Sequence, residues 1–169
     1  GLTLIGNTTE VCRDGKERAR TALESLGIEI PCTSIVVSVT PAEVRKEGSH
    51  IDLPLAISLS LLVRERVPRV RPDGWVFAAE LSLQGQLRPV RSVISFALAA
   101  IAHNCRGIVV AADNMHEMNA LGRYGVCRDR LQVLGFHDLG GVLQWQDTGQ
   151  LPEQTLRLQT AADWPEEQA

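Results

Sequence analysis

The sequence predicts an α+β domain in which helices cover a mixed sheet, with an α/β arrangement as the alternative. From residue 107 onward, apolar runs alternate with segments of helical periodicity, which is typical of strands joined by helices. Earlier in the chain, Gln84 and Gly85 separate two apolar runs and predict an antiparallel hairpin. The length of 169 residues and the hydrophobic fraction of 44% suit one globular domain.

The N-terminal part of the chain predicts a strand and then a helix. Residues 2–5 are short, apolar and bounded by a turn signal, which is typical of a strand. Thr8 or Thr9 is placed to cap a helix that runs to about Leu26, where Gly27 ends it.

The next segments predict a second strand and a buried helix. Residues 33–41 are rich in β-branched side chains and predict a strand. Residues 53–66 leave almost no polar face, so this helix should lie in the centre of the fold. Residues 64–74 are basic and broken by proline, which predicts a loop.

The rest of the chain predicts the hairpin and then alternating helices and strands. Residues 107–112 are continuously apolar, as expected for a strand that is covered on both faces. From residue 146, Gln, Thr, Pro and Glu dominate, so we expect a domain over residues 1–145 and a polar tail or linker over 146–169. The predicted elements are strands 75–83 and 86–90, helix 93–103, strand 107–112, helix 114–121, strand 131–134 and helix 139–145.

Composition excludes several classes of protein. The net charge of −3 argues against a polyanion binder whose whole surface is basic, although local basic patches are compatible with it. No stretch approaches the ~20 apolar residues that a membrane helix needs. The four cysteines contain no Cys-x-x-Cys pair and lack suitably spaced histidines, which predicts no metal site and reduced thiols in a cytoplasmic protein. The chain begins without Met inside a strand-like run, so we expect a fragment.

The stretch RKEGSHIDLP, residues 45–54, places Ser49, His50 and Asp52 close together in sequence. Catalytic triads need side chains that converge in space, and neighbours on one short loop rarely do so. Asp52 precedes the buried helix, so its carboxylate is expected to accept N–H groups of the first turn. Pro54 suits that turn, but it disfavours helical geometry at Leu53, which makes Leu53 the alternative cap. If Asp52 has a side-chain partner, the expected candidates are Lys46, Ser49 and Glu80, or a group of a neighbouring subunit.

Longer stretches carry a family resemblance. The segments GLTLIG…KERARTALESLGIEIP, TPAEVRKEGSHIDLPLAISL and AAELSLQGQLRPVRSVISFALAA…IVVAADN resemble the N-terminal domain of magnesium-chelatase-like AAA+ ATPases of the ComM/YifB type. Family members usually carry Gly at the position of Ser92. The resemblance implies a fold similar to the proteolytic domain of Lon and to the second domain of a small-subunit ribosomal protein. The motif residues are Lys46, Glu47, Gly48, Asp52, Pro54, Glu80, Gly85, Arg88 and Pro89.

The Lon resemblance also implies that peptidase chemistry is absent. Lon cleaves peptides with a Ser–Lys dyad, and alignment on these motifs puts Asp52 at the serine position and Ile94 at the lysine position. A carboxylate is a poor nucleophile for amides, and isoleucine carries no proton to transfer. The resemblance therefore implies a chain without catalytic residues, and a residual serine hydrolase that uses Ser49, His50 and Asp52 is the alternative.

Other expectations concern partners and cofactors. Seven basic residues, named at the end of this paragraph, either contact nucleic-acid phosphates or lie as solvated charges on the surface. No G-x-x-x-x-G-K-[ST] loop occurs, so the resemblance implies ATP and Mg²⁺ only for a longer protein, which would be a hexamer that acts on DNA. A magnesium-chelatase subunit is a further alternative. The basic candidates are Arg13, Lys16, Arg20, Arg64, Arg66, Arg69 and Arg71.

Overall fold

A computed structural model describes residues 1–43, 45–123 and 131–158. The described part combines helices and strands in one chain, which confirms the predicted mixed class. The helices are α1 (Glu10–Ser25), α2 (Asp52–Arg64), α3 (Val93–Ala102), α4 (Met115–Arg123) and α5 (Leu139–Thr148). The strands are β1 (Leu2–Ile5), β2 (Ile35–Ser38), β3 (Trp75–Ala78), β4 (Glu80–Leu81), β5 (Leu87–Arg88), β6 (Gly107–Ala111), β7 (Leu131–Phe136) and β8 (Gln154–Leu158).

A four-stranded mixed sheet with the order β3-β6-β7-β8 lies at the centre of the fold. β3, β6 and β7 are parallel, and β8 runs antiparallel to β7. The hairpin strands β4 and β5 form a separate two-stranded sheet, and β1 pairs with β2 in parallel. The mixed sheet is present as predicted, but its antiparallel member is β8 and not the hairpin.

The segment 146–158 was predicted as part of a polar tail, and this prediction is wrong. Helix α5 continues to Thr148, and β8 then pairs with β7 along its whole length. Leu156 and Leu158 point to the core while Thr155 and Arg157 are exposed, so an edge strand needs few apolar residues. Residues 159–169 lie outside the described residues.

Apolar side chains form two clusters on opposite faces of the main sheet. Val109 and Ala111 of β6 join the cluster that contains α1, α2 and α5. Ile108 and Val110, which alternate with them, join the cluster that contains α3 and α4. Every residue of β6 is buried, which confirms the strand covered on both faces.

Helix α2 connects the cluster that contains α1, α2 and α5 to the loop 45–51 that precedes it. Leu53, Ala56 and Leu59 are buried, as the apolar pattern predicts, although Leu62 near the end of the helix is exposed. The N–H of Leu53 donates to the carbonyl oxygen of Ala79 over 3.2 Å. The first turn of α2 is therefore held against the junction of β3 and β4.

Candidate functional site

Asp52 lies at the start of α2 and forms a buried ion pair with Arg18 of α1. The Arg18 Nε group donates to Asp52 Oδ2 over 2.6 Å, and Arg18 Nη2 donates to Oδ1 over 3.1 Å. The N–H of Leu81 donates to Oδ2 over 3.1 Å. The carboxylate is 0% exposed, so these three donors replace its hydration and join α1, α2 and β4.

The electrostatics of this pair extend to Glu80. Burial raises the pKa of the Asp52 carboxyl, and hydrogen bonds from Arg18 and Leu81 oppose that rise. The hydrogen bond to Asp52 raises the pKa of the Arg18 guanidinium. Glu80 is close enough for its charge to raise the pKa of Asp52 as well. The charge of Glu80 therefore acts on both members of the pair.

Gly15 permits the close approach of α1 to Asp52. A Cβ atom at Gly15 would lie 2.5 Å from Asp52 Oδ1, well inside the contact distance. Glycine inside a helix costs about 1 kcal/mol relative to alanine. That cost is offset here, because a larger residue would displace the carboxylate from Arg18.

The capping prediction for Asp52 is wrong. Helix α2 starts at Asp52, its cap position is Ile51, and no side chain caps the helix. The Asp52 carboxylate binds the N–H of Leu81 on β4 and not an N–H of its own first turn. The expected partners of Asp52 were Lys46, Ser49 and Glu80, or a group of a neighbouring subunit, whereas the structure supplies Arg18.

A spacing in α1 contains a signal for this partner. Gly15, Ala19 and Ala22 follow one another at helical spacing and are all buried. Small residues in such a row allow a second helix to approach closely. Arg18 lies beside this row, so it is the basic residue of α1 that is placed to reach α2.

A cleft of about 890 Å³ opens beside the Asp52 pair. Glu80 and the loop residues Glu47, Ser49 and His50 line one side of it. The other side is formed by residues 89–92 and by the first turn of α3, which contributes Phe96. Asp52 is fully buried and is not among the residues that line the cleft.

The cleft does not assemble Ser49, His50 and Asp52 into a triad. The Ser49 hydroxyl donates to Glu80 Oε2. The His50 ring packs on Phe96 with a centroid distance of 4.8 Å, and burial lowers the pKa of His50. Asp52 is bound by Arg18. Each of the three residues thus contacts a different partner. The hydroxyl of Ser49 also gives the Glu80 carboxylate, a charge in an otherwise apolar strand, a hydrogen-bond donor.

Ile94, at the expected lysine position, lies on α3. Its side chain is half-buried and packs against the apolar cluster on the α3 face of the main sheet. The position is hydrocarbon in an apolar setting, so it supplies no proton donor or acceptor.

Backbone contacts shape the loop before α2. The N–H of Lys46 donates to the Asn7 carbonyl oxygen over 2.7 Å, and the Cys12 thiol donates to the Gly48 carbonyl oxygen over 3.0 Å. Gly48 has a φ of +83°, which favours glycine. The motif lysine and glycine therefore hold the loop on the turn after β1 and on α1.

The remaining motif residues position the hairpin beside the site. Arg88 pairs with Glu80 across the β4–β5 ladder, and Gly85 turns the hairpin with a φ of +83°. Pro54 lies in the first turn of α2, as expected. Pro89 then leads the chain into the wall of the cleft.

Ser92 adopts a backbone conformation that favours glycine, the residue that the family resemblance gives to this position. Its φ is +58° and it occupies the cap position before α3, with no side-chain hydrogen bond to the helix. Left-handed backbone costs a residue with a side chain roughly 1 kcal/mol, whereas glycine adopts it freely. The glycine usual at this position therefore relieves strain that Ser92 retains.

The basic candidates are divided between α1 and the segment that follows α2. Arg64 and Arg66 both bind Asp147 of α5, over 2.5 and 2.7 Å, and Arg20 pairs with Glu24 over 3.3 Å. In the described ranges, Arg13, Lys16, Arg69 and Arg71 make no ion pair.

Membrane-spanning helices and metal-binding clusters are both absent from the part of the chain that the structure describes. None of the helices there has the length and apolarity to cross a membrane. Across residues 1–43, 45–123 and 131–158, no group of three or more His, Cys, Asp or Glu side chains is arranged to hold a metal ion.

Comparison with known protein families shows which family the chain belongs to. The model of the family described as subunit ChlI of Mg-chelatase matches residues 1–114, about two thirds of the chain. The chain belongs to this family. The loop 45–54 and the β4–β5 hairpin both lie within residues 1–114, the region that the family model matches.

Relatives refine this placement. The protein YifB of Escherichia coli is 36% identical over 135 residues, which cover 79% of the chain and 26% of YifB. The competence protein ComM of Haemophilus influenzae is 35% identical over 117 residues, covering 69% of the chain and 23% of ComM. A Lon protease of Chloroflexus aurantiacus is more distant, at 28% over 127 residues, 71% of the chain and 15% of the protease. The chain thus spans about a quarter of the length of YifB and ComM.

Proposed function

We propose that this chain is a non-catalytic Lon-like domain of a longer ATPase of the ComM/YifB type. In this proposal the domain assembles or steers a hexameric motor that acts on DNA in the cytoplasm. ATP and Mg²⁺ belong to the ATPase module of the longer protein, outside this chain.

The observation that carries the proposal is the state of Asp52. At the position that the Lon resemblance gives to the nucleophile, the carboxylate is fully buried and accepts three hydrogen bonds. Protein donors take up three of the roughly four lone-pair positions of the carboxylate, and Asp52 is not among the residues that line the cleft. The neighbouring candidate base is replaced by Ile94, so neither half of a Ser–Lys dyad is present.

The assembly and DNA parts of the proposal rest on kinship and charge. One relative, ComM, is described as a competence protein. Arg13, Lys16, Arg69 and Arg71 are not committed to ion pairs in the described ranges, so they are the basic side chains best placed to contact phosphates.

The test is removal of residues 1–158 from the longer protein. We expect weaker assembly in sedimentation velocity and less DNA-stimulated ATP hydrolysis, because the motor loses the part that positions its subunits. The ATPase module alone, checked for folding by circular dichroism, is the control. Unchanged assembly and unchanged stimulation would contradict the proposal.

A residual serine hydrolase is the second candidate, since Ser49 and His50 both line the cleft. A fluorophosphonate probe should not label the chain above the level of Ser49→Ala. Labelling that this substitution abolishes would replace the proposal with a hydrolase. A magnesium-chelatase subunit is the third candidate, supported by the family description, and insertion of Mg²⁺ into a porphyrin by the longer protein would establish it.

A further inference from the structure

We infer that one edge of the main sheet binds the phosphate backbone of duplex DNA without reading its sequence. It is the edge at which the parallel strands β3 and β6 begin. Such binding rests on the proposed action on DNA and identifies the surface that carries it out. Two of the arginines at this edge, Arg106 and Arg157, are not among the basic candidates of the sequence. We call this surface the basic edge, and it consists of Arg69, Arg71, Arg106 and Arg157.

The register of the main sheet places Arg106 and Arg157 at this edge. Trp75, Gly107 and Gln132 are aligned across β3, β6 and β7, and Arg157 of β8 is aligned with Gln132. Arg106 immediately precedes Gly107, and both arginines are exposed. Neighbouring strands are about 4.8 Å apart, so β6 and β8 hold the backbones of the two arginines roughly 10 Å apart.

Contacts with the end of α5 bring Arg69 and Arg71 to the same edge. The last turn of α5 packs on the start of β3, with 4.7 Å between the centroids of their tryptophan rings. The N–H of Val70 donates to the carbonyl oxygen of Gln146 over 2.8 Å, and the Arg69 side chain lies against Gly149. Arg71 follows Val70 in the chain and is exposed. The hydrogen bond from Val70 also satisfies a carbonyl group at the helix end that would otherwise face phosphate.

The two parts of the basic edge are joined before DNA arrives. The N–H of Arg106 donates to the carbonyl oxygen of Gly74 over 2.7 Å. The Nη2 group of Arg106 donates to the carbonyl oxygen of Asp73, so this guanidinium lies beside the segment that contains Arg71. A surface ordered in this way loses little conformational entropy when it binds.

The charge of the basic edge is not neutralised by ion pairs. Across residues 1–43, 45–123 and 131–158, its four arginines form no ion pair. Asp147, at the end of α5, is bound by both Arg64 and Arg66 over 2.5 and 2.7 Å. One carboxylate therefore faces two guanidinium groups next to the basic edge.

Few other carboxylates lie near these arginines in the part of the chain that the structure describes. Asp73 is exposed beside Arg106, and Glu65 lines a pocket beside β2 together with Glu29. Even when all of these are counted, guanidinium groups outnumber carboxylates at this end of the molecule. A chain of net charge −3 thus has a local positive surface that attracts a polyanion.

The basic edge suits a duplex better than a single strand. Proteins that hold single strands stack the bases on exposed aromatic rings. The tryptophans near this edge, Trp75 and Trp145, pack on each other, and Trp145 is 3% exposed. Guanidinium groups bind phosphate oxygens in a bidentate manner, and phosphate contacts carry no sequence information. The ligand is therefore a backbone of high charge density, which is that of duplex DNA.

The test measures the affinity of the 169-residue chain for labelled duplexes of two unrelated sequences by fluorescence anisotropy at several salt concentrations. Arg106→Gln with Arg157→Gln damages the basic edge. Arg45→Gln with Arg91→Gln removes the same charge from exposed positions near the cleft and is the matched control. The cleft and the basic edge lie at opposite ends of α2, which has 13 residues and is roughly 20 Å long. Equal urea midpoints establish that each variant is folded.

We expect the logarithm of the association constant to fall with the logarithm of the salt concentration with a slope of about −3.6, for four phosphate contacts. The edge variant should lower the size of this slope by about 2 and bind at least about 10-fold more weakly at low salt, whereas the control stays within about 2-fold of wild type. Asp73→Asn should bind about 2-fold more tightly, because it removes a carboxylate that repels phosphate. The two duplexes should bind alike, and a single strand of the same length more weakly.

Four results would overturn the inference: no salt-dependent binding, equal affinity of the edge variant and wild type, an equal loss in the control, or tighter binding of the single strand. If Arg13→Gln with Lys16→Gln lowers the affinity and the edge variant does not, DNA binds at α1 and the inference is wrong. These failures are separable from failure of the proposed function, which is judged by assembly and ATP hydrolysis after deletion of the domain from the longer protein.

Discussion

Replacement of Arg18 by methionine tests the buried ion pair most severely. In Arg18→Met, the Asp52 carboxylate remains 0% exposed and keeps one donor, the N–H of Leu81. Leaving one member of a buried pair without its partner costs about 3–5 kcal/mol. That is a large part of a total stability of about 5–15 kcal/mol.

The reverse replacement should cost less, and the double replacement should recover stability. In Asp52→Leu, the Arg18 side chain, which is 23% exposed, can turn to water, so we expect a loss of about 1–3 kcal/mol. The double variant contains no unpaired charge, since an apolar pair of similar volume replaces the ions. Its loss should fall short of the sum of the single losses by about 2 kcal/mol.

Urea unfolding followed by circular dichroism measures these differences. With a slope of about 2 kcal/mol per molar urea, Arg18→Met should lower the midpoint by roughly 1.5–2.5 M at an unchanged slope. The reasoning is refuted if the stability loss of the double variant equals the sum of the two single losses to within about 0.5 kcal/mol, because residues in direct contact should couple.

Three other substitutions give independent checks by the same unfolding assay. Gly15→Ala should destabilise the protein by about 1–3 kcal/mol despite the better helix propensity of alanine, since its Cβ meets Asp52 Oδ1. A gain in stability would show that α1 and α2 are farther apart than in this structure. Ser92→Gly should stabilise by about 0.5–1 kcal/mol, because it removes the strain of a φ of +58°, and a loss would contradict that conformation. His50→Gln should flatten the pH dependence of stability below pH 6.5. Burial lowers the pKa of His50, so His50 binds a proton more tightly in the unfolded chain than in the folded one. The stability that neutral His50 contributes is therefore fully present above pH 6.5 and is lost as the pH falls toward the lowered pKa. An identical pH profile for wild type and variant would contradict this burial.

The elements that the sequence predicts well are those whose burial leaves a local pattern. β6 has five consecutive buried residues between two helices, so its continuous apolar run identifies a covered strand. The start of α2 is likewise apolar on most sides because it lies in the centre. β8 escaped prediction because an edge strand buries one face, and two leucines among polar residues resemble a linker.

The candidate site depends on a contact that local patterns do not encode. Arg18 and Asp52 are 34 residues apart, and their pairing follows from how α1 crosses α2. Sequence reasoning recognised that Asp52 occupies a special position, but it assigned the carboxylate to its own helix because capping is a local rule. The small residues Gly15 and Ala19 mark the close crossing, and they become informative once the two helices are known to be neighbours.

The most direct test of a structural role for Asp52 uses the double variant Arg18→Met with Asp52→Leu in the longer protein. The measurement is DNA-stimulated ATP hydrolysis, with folding verified by the urea midpoint. Because Asp52 is proposed to hold the domain together and to take no part in chemistry, hydrolysis should stay within about 2-fold of wild type. A folded double variant that has lost hydrolysis would show that the Asp52 carboxylate is functional and would contradict the account.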